Sequence, residues 1–196
     1  MCRLIESIKL QNGLLQNIEW HNKRFNEARK ELFGIDDHVD LKQVVIVPNT
    51  LGDGLYKCRI LFERQIEVVE FQPYTARCVR SLQLLECDNI DYEYKYENRL
   101  VFDKLMAMKG DADDILVVKN GHITDTSYSN IVFSDGKKWI TPDTWLLNGT
   151  QRQHLLAEGI ITEANITPSS LKHYKWAKPI NAMLDFETTP LVEILF

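Results

Sequence analysis

The chain has 196 residues, of which 44% are hydrophobic and 26% are charged, a balance that suits one large or two small globular domains. Its formal net charge of −5 argues against nucleic acid or an anionic membrane surface as the main partner. No apolar run approaches the roughly 18 residues of a membrane helix, and the chain does not begin with a signal-peptide pattern. The four cysteines, Cys2, Cys58, Cys78 and Cys87, lack metal-ligand spacing, which favours a reduced, cytoplasmic protein without a metal site.

Residues 1–75 predict a small α+β domain. Asn12-Gly13 is a strong hairpin signal, Gly34 suits the end of a helix, and Asp40 suits the start of another. The predicted elements are a strand over Arg3–Leu10, a return strand over Leu14–Ile18, a helix over His21–Phe33, a short helix up to Val44, and strands over Leu55–Phe62 and Gln65–Phe71.

Residues 76–196 predict a larger α+β domain. Many hairpins and few helices indicate this fold class, and no G-x-G-x-x-G or P-loop motif points to a nucleotide site. The predicted elements are a strand over Val79–Glu86, a helix over Asn98–Lys109, an antiparallel meander of Ile115–Lys119, Ile131–Phe133 and Trp139-Ile140, a helix over Thr150–Ala157, and a late strand near Asn181–Asp185.

The segment Tyr92–Arg99 places a lysine, Lys95, among acidic and aromatic residues. One interpretation is a partly exposed strand or loop in which Lys95 is an ordinary solvated side chain. The other is an amine that forms an imine with a carbonyl compound, a reaction that requires the amine to be neutral. The charge of Arg99 favours a neutral amine, whereas Glu93 and Glu97 oppose it.

A polar stretch, Gly121–Asn130, follows a β-turn and leads into an apolar strand. Its serines and threonines are consistent with a hairpin that hydrogen-bonds its own backbone. Alternatively, the end of the strand presents the carboxylate of Asp125 to a pocket. The residues alone leave both interpretations open.

Two further segments suit an anion. Asn148–Arg152 combines a glycine turn with a predicted helix start, where N–H groups and the helix dipole favour negative charge, although capping by Asn148 or Thr150 explains the same pattern. His21 and Arg24 lie three residues apart on the first long helix and so face the same way. They either face solvent or place the guanidinium of Arg24 on a phosphate.

Taken together and in their order along the chain, the four segments resemble the class IV aminotransferases, the fold type IV pyridoxal phosphate enzymes. The resemblance extends from about Leu4 to Val192. It implies a two-domain, D-amino-acid aminotransferase-like fold that is shortened at its N-terminus, with residues 76–196 as a pseudo-barrel domain carrying the reactive lysine. It also implies a pyridoxal 5′-phosphate cofactor, a small amino compound as substrate, and a homodimer.

The family's motifs map onto this chain residue by residue. Arg24, in His21-x-x-Arg24, matches the arginine that binds the cofactor phosphate, and Lys95 matches the imine-forming lysine. Asp125 matches the carboxylate that pairs with the pyridine nitrogen, in a pattern that ends at Asn130. The phosphate-binding turn corresponds to Gly149, Thr150 and Gln151.

Within the family, Lys95–Leu100 is similar to the K-x-x-N-R-L of aminodeoxychorismate lyase, and Asn181-Ala182 is also lyase-like. The resemblance therefore implies a lyase that converts 4-amino-4-deoxychorismate to 4-aminobenzoate and pyruvate in folate biosynthesis. An aminotransferase acting on D-amino or branched-chain amino acids is the alternative. Arg59 and Asn181 are candidates to bind the substrate, although a strand-edge arginine facing water explains Arg59 equally well.

Three features depart from the family pattern. The chain begins after the N-terminal strand and turn of longer members, Asp125 replaces the usual glutamate, and Gln151 replaces a common hydroxyl residue. Aspartate keeps the charge, and the turn keeps its backbone donors. A family member that has lost catalysis, or a binding module without a cofactor, are the remaining alternatives.

Overall fold

A computed structural model describes residues 2–195, which form two compact units. The first unit comprises the chain up to Ala76 together with Tyr94–Asn98, and the second comprises Arg77–Glu93 and the chain from Arg99 onward. The sequence predicts Lys95 in the second domain, whereas its segment groups with the first unit. The reason is main-chain pairing with the first strand, which is described below.

The first unit contains one antiparallel sheet with the strand order β2-β1-β3-β4. Its elements are β1 (Leu4–Gln11), β2 (Leu14–Leu15), α1 (Ile18–Phe33), α2 (Leu41–Val44), β3 (Leu55–Phe62) and β4 (Ile66–Pro73).

Local signals explain most of these bounds. Asn12 and Gly13 adopt φ values of 50° and 77° and form the predicted two-residue turn. The return strand is shorter than predicted, because Asn17 is left-handed and α1 begins directly after it. Gly34, with φ of 68°, ends α1 as predicted, and the side chain of Asp40 caps α2.

The core of the first unit lies between α1 and one face of the sheet. Ile8 on β1, Phe25 on α1 and Phe62 on β3 are almost completely buried there. The ring centroids of Phe25 and Phe62 are 4.4 Å apart. The same sheet face also carries Glu6, whose burial requires a separate explanation.

The second unit contains two four-stranded sheets, with the strand orders β12-β5-β6-β7 and β10-β9-β8-β11. Its elements are β5 (Ser81–Glu86), α3 (Leu100–Met106), β6 (Asp114–Lys119), β7 (His122–Thr126), β8 (Asn130–Ser134), β9 (Trp139–Pro142), α4 (Thr150–Ala157), β10 (Ile161–Ala164), a 3₁₀ turn (Pro168–His173), β11 (Trp176–Ile180) and β12 (Glu193–Leu195).

The predicted meander is wrong in one respect. β6 and β7 pair antiparallel, and so do β8 and β9, but β7 and β8 belong to different sheets. Leu116 and Ile123 from one sheet share a single buried cluster with Ile131 and Phe133 from the other, so the chain crosses the core between β7 and β8. Parallel pairs also occur, between β5 and β6, β5 and β12, and β9 and β10.

The late strand is also placed differently from the prediction. It covers Trp176–Ile180, and Asn181–Asp185 forms a turn instead. The side chain of Asn181 accepts hydrogen bonds from the N–H groups of Met183 and Leu184, which stabilises that turn. The helix α3 is shorter than predicted, and β10 was not anticipated. The α+β fold class itself is confirmed.

Within residues 2–195, no helix combines the length and apolar character needed to cross a membrane. The same part of the chain contains no group of three or more His, Cys, Asp or Glu residues that could hold a metal ion.

Candidate active site

A carboxylate, Glu6, lies in the core of the first unit. Residues alternate between the two faces of a strand, so Glu6 shares the buried face of β1 with Leu4, Ile8 and Leu10, and it is only 1% exposed. Burial of an ionised carboxylate is unfavourable unless donors surround it. Helix α1 supplies those donors.

The donors are the two helix residues that the sequence singled out. Nε of Arg24 donates to Oε1 of Glu6 over 2.8 Å, and Nη2 donates to Oε2 over 2.6 Å, which makes the pair bidentate. Nδ1 of His21 lies 2.6 Å from Oε2. His21 is fully buried, whereas 14% of the Arg24 side chain is exposed. His21 and Arg24 do share a helix face, and that face meets Glu6.

The charge states in this cluster follow from its surroundings. Burial raises the pKa of Glu6, but Arg24 and His21 together outweigh burial and lower that pKa to about 2. Burial lowers the pKa of His21, and the interaction with Glu6 opposes this effect. At neutral pH Glu6 is therefore ionised and His21 is neutral, with its Nδ1–H donating to Glu6.

Lys95 lies in a segment that extends the edge of β1. The N–H of Ile5 donates to the carbonyl of Lys95 over 2.9 Å, and the N–H of Glu97 donates to the carbonyl of Arg3 over 2.9 Å. Between them, Tyr96 forms a β-bridge with the same strand. The Lys95 side chain is half-buried. Its charge also helps to lower the pKa of His21, so the amine is near enough to influence the Glu6 cluster.

Arg59, the candidate substrate-binding residue, lies on β3 between two carboxylates. Nη2 of Arg59 donates to Glu97 over 2.9 Å, and Nη1 lies 3.6 Å from Glu70. Glu97 also pairs with Arg3, over 3.5 Å. The charge of Arg59 is thus already matched within the unit, and the same contacts tie the Lys95 segment to the sheet.

In the second unit, the carboxylate of Asp125 is the corresponding buried charge. It lies on β7 and is 6% exposed. Oδ1 accepts a hydrogen bond from Nδ2 of Asn130 over 2.7 Å. Oδ2 accepts two more, from the N–H groups of Leu146 and Leu147 over 3.0 Å and 2.9 Å. Asp125 therefore anchors the loop that leads into α4.

Burial dominates the ionisation of Asp125. It raises the pKa to about 6, even though the N–H of Leu147, the amide of Asn130, the N–H of Leu146 and the charge of Arg152 all act to lower it. A pKa near 6 leaves the carboxylate mainly ionised at pH 7.

Asn130 links Asp125 to the start of α4. Its Nδ2 also donates to the carbonyl of Leu147 over 2.8 Å, and its Oδ1 lies against Gly149. A Cβ added at Gly149 would be 2.1 Å from that Oδ1. Because Gly149 has an ordinary φ of −65°, the requirement for glycine at this position is purely steric.

The first turn of α4 begins directly after Gly149, which has no side chain to cap the helix. Thr150 and Gln151 are both buried there. Such a helix start places N–H groups and the positive end of the dipole together, an arrangement suited to an anion.

Arg152 holds the other side of this turn. Nη1 donates to Oδ1 of Asn148 over 3.2 Å, Nη2 donates to the carbonyl of Pro142 over 3.0 Å, and Nη2 also pairs with Glu163. Among the described residues, its buried Nε has no hydrogen-bond partner. The Arg152 side chain thus connects α4 to the ends of β9 and β10.

Asn181 and Arg99 approach the turn between β7 and β8. Nδ2 of Asn181 donates to Oγ of Ser129 over 2.8 Å. Arg99 donates to the carbonyl of Ser127 and, over 2.9 Å, to the hydroxyl of Tyr92. Both residues therefore support the turn that follows Asp125.

Sequence reasoning missed Glu6 and the N–H groups of Leu146 and Leu147. The alternation of Leu4, Glu6 and Ile8 along one strand was the available signal for Glu6, because it places the carboxylate on an apolar face. No side-chain pattern marks the two backbone donors.

Similar proteins were found by sequence and by structure. Residues 94–186 match the family profile of the class IV aminotransferases. An uncharacterized protein of Haemophilus influenzae is 37% identical over 185 residues, which is 93% of this chain and 98% of that protein. A crystal structure from Haemophilus somnus, provisionally named a 4-amino-4-deoxychorismate lyase, is 31% identical, with a TM-score of 0.87 and coverage of 93% of this chain and 97% of that one.

The chain belongs to the class IV aminotransferase family.

Members of this family are pyridoxal-phosphate-dependent enzymes, either lyases or aminotransferases. A Mesorhizobium loti structure, provisionally named an amino-acid aminotransferase, covers all of both chains with a TM-score of 0.83. At 22% identity it shows a common fold only.

Each unit, taken by itself, has donors or acceptors that fit one part of the family's cofactor. Glu6 occupies one edge of the Arg24 guanidinium, and the group has five N–H donors in all, so donors remain for a phosphate. Asp125 accepts three hydrogen bonds, whereas a carboxylate offers about four acceptor positions. One position is therefore left for a protonated ring nitrogen.

The contact at Gly149 predicts a destabilised Gly149→Ala variant. The added methyl group displaces Asn130, and we expect the free energy of unfolding to fall by about 1–3 kcal/mol, measured by urea denaturation. Gly52→Ala is the control, because nothing lies near Gly52 and its φ is ordinary. In an Asn130→Ala background the clash disappears, so Gly149→Ala should add almost no further loss there. An equal loss in both backgrounds would contradict the steric explanation.

The Glu6 cluster predicts stability that is sensitive to acid. Its folded-state pKa of about 2 lies below the ordinary value of 4.5, so its stabilisation is complete above pH 4.5 and is lost as the pH falls toward 2. By linkage, the ionised Glu6 contributes about 3 kcal/mol to the free energy of unfolding at neutral pH. The folded-state pKa of Asp125, about 6, lies above the ordinary value of 3.8. Its titration therefore makes the folded state less stable as the pH rises from 3.8 to about 6.

We expect Glu6→Gln to be less stable than the wild type at pH 7, with a smaller loss of stability between pH 4.5 and 2. Urea denaturation at each pH measures both. The difference between the proteins reports on Glu6 and on His21, whose pKa depends on Glu6, because Asp125 is common to both proteins. Glu27→Gln, on the exposed side of α1, is the matched control. The prediction fails if Glu6→Gln and the wild type lose stability in parallel over this range.

Proposed function

We propose that this protein is a pyridoxal-phosphate-dependent lyase that converts 4-amino-4-deoxychorismate to 4-aminobenzoate and pyruvate. The observation that supports it best is the nearly end-to-end similarity, at 31% identity, to the Haemophilus somnus protein that provisionally carries this name. The lyase-like sequence Lys95-Tyr96-Glu97-Asn98-Arg99-Leu100 adds to that support.

Each candidate residue has a role in this proposal. Lys95 would hold the cofactor through its amine, and Arg24 and the first turn of α4, at Thr150 and Gln151, would hold its phosphate. Asp125 would pair with the ring nitrogen. Asn130 would act through Asp125 rather than on the cofactor, because its amide donates to Asp125 and Leu147.

When bound, the cofactor supplies an electron sink for negative charge at the carbon that carries the substrate amine. The amine of Lys95 removes the proton from that carbon and later returns a proton to the three-carbon product. The bond from the ring to the enolpyruvyl oxygen breaks, and the ring becomes aromatic. The ionised Asp125 would keep the nitrogen of the cofactor's ring protonated, and burial would strengthen this interaction because water does not screen it.

The open face of the first sheet suits a substrate with more than one carboxylate. Lys9 and Lys57 are directly opposite each other on β1 and β3, and no ion pair to either is found among the described residues. Like charges at opposite positions destabilise a sheet. Arg59 lies on the same face, two residues from Lys57. We propose that Arg59 and Asn181 bind the substrate, with Arg59 exchanging its contact with Glu97 for a substrate carboxylate.

We also propose that the protein is a homodimer in the cytoplasm and that its 4-aminobenzoate is used for folate synthesis, as the family resemblance implies. Light scattering of the purified protein measures the oligomeric state.

Lys95→Ala should abolish attachment of the cofactor. With added pyridoxal phosphate, we expect the wild type to show a visible absorbance band, and borohydride to fix the cofactor's mass on the peptide that contains Lys95. Lys104→Ala, at an exposed position of α3, should behave like the wild type. Cofactor mass on another lysine, or no fixed mass in any of these proteins, would refute the assignment.

The reaction itself is tested by its products. With 4-amino-4-deoxychorismate, the protein should release pyruvate and 4-aminobenzoate in equal amounts without a keto-acid acceptor, because an elimination needs no second substrate. Coupled lactate dehydrogenase and fluorescence of 4-aminobenzoate follow the two products. If the protein instead forms keto acids from amino acids, and only when an acceptor is present, it is an aminotransferase. If the cofactor-loaded protein catalyses neither reaction, it is a family member that has lost catalysis.

A further inference from the structure

We infer that Glu6 is a positioning residue that fixes the guanidinium of Arg24 so that its remaining edge binds the phosphate of the cofactor. This inference rests on the proposed function, because it assigns the phosphate to Arg24. Glu6 does not itself touch the cofactor in this arrangement.

The geometry divides the donors of Arg24 into two sets. Glu6 takes the edge formed by Nε and Nη2, over 2.8 Å and 2.6 Å. The edge formed by Nη1 and the second N–H of Nη2 points elsewhere, and it has the spacing that a phosphate needs for two parallel hydrogen bonds. Glu6 is 1% exposed and Arg24 is 14% exposed, so Arg24 reaches solvent and Glu6 does not.

The carboxylate of Glu6 is itself held in place. His21, fully buried and one helical turn from Arg24, contacts Oε2 over 2.6 Å. The strand fixes the other end of the Glu6 side chain, because its neighbours on that face, Leu4 and Ile8, are buried in the core. Arg24 consequently has one orientation available instead of the many rotamers of a solvated arginine, and less conformational entropy is lost when an anion binds.

Simple electrostatics predicts the opposite effect. The negative charge of Glu6 neutralises Arg24, so its removal would leave a net positive site and would strengthen phosphate binding if charge alone mattered. The positioning inference requires the loss of geometry to outweigh that gain. The sign of the change therefore distinguishes the two.

A purely structural role is distinguished by a comparison of two ligands. Pyridoxal lacks the phosphate group of pyridoxal phosphate but has the same ring and aldehyde. A general loosening of the protein weakens both ligands equally, whereas a misplaced Arg24 weakens only pyridoxal phosphate. The ratio of their dissociation constants, compared between variants, also cancels the solution properties of the free ligands.

The experiment measures this ratio by absorbance titration for the wild type, Glu6→Gln and Glu27→Gln. We expect the preference for pyridoxal phosphate over pyridoxal to be about tenfold lower in Glu6→Gln than in the wild type, because this is the usual effect of losing a charged hydrogen-bond pair. The exposed control Glu27→Gln should keep the full preference. A preference in Glu6→Gln that is unchanged or increased would overturn the inference while leaving the proposed function intact.

Two other outcomes are also decisive. A wild type that binds both ligands equally would refute the proposed phosphate site and the inference together. If circular dichroism shows that Glu6→Gln does not fold, Glu6→Asp replaces it, since this variant keeps the charge but shortens the reach by one methylene. A reduction of at least about threefold in its preference would then support the inference, and an unchanged preference would overturn it.

Discussion

Two carboxylates that are removed from water, Glu6 and Asp125, organise the chain around them. Each must be surrounded by donors, and in both cases the donors come from residues distant in sequence. Side chains of α1 meet Glu6, whereas an amide side chain and two backbone N–H groups meet Asp125. The helix α1 and the loop before α4 are therefore held by directional bonds in addition to apolar packing. These are also the places where the family's motifs lie.

The sequence predicted those parts of the fold that have local signals. The hairpin at Asn12-Gly13 and the end of α1 at Gly34 each depend on a turn or capping preference of adjacent residues. The division of the meander between two sheets was not predictable in this way. The strands of the meander have the same alternating or apolar residue pattern whether they form one sheet or two. Only packing between strands distant in sequence decides which sheet each strand joins.

The candidate site shows the same division. Motif spacing singled out Arg24, Lys95, Asp125 and Gly149, but it gave no information on their partners. The pairing of Arg24 with Glu6 spans 18 residues and that of Arg59 with Glu97 spans 38, so neither follows from a local pattern. The aspartate at position 125 illustrates the consequence. From the sequence alone, replacing glutamate by aspartate only shortens the side chain by one methylene. The structure shows in addition that three donors hold the shorter side chain in place.

The attachment of the Lys95 segment to β1 has a consequence for inactivation. Its main-chain bonds join residues near 5 and near 95, so this contact closes a long loop, and loop closure costs conformational entropy. Edges of this kind fray before the whole domain unfolds, which hydrogen exchange detects as low local protection. Fraying here would displace Lys95 while the apolar core remains intact. The enzyme should therefore lose activity at a lower temperature or denaturant concentration than that at which its secondary structure unfolds.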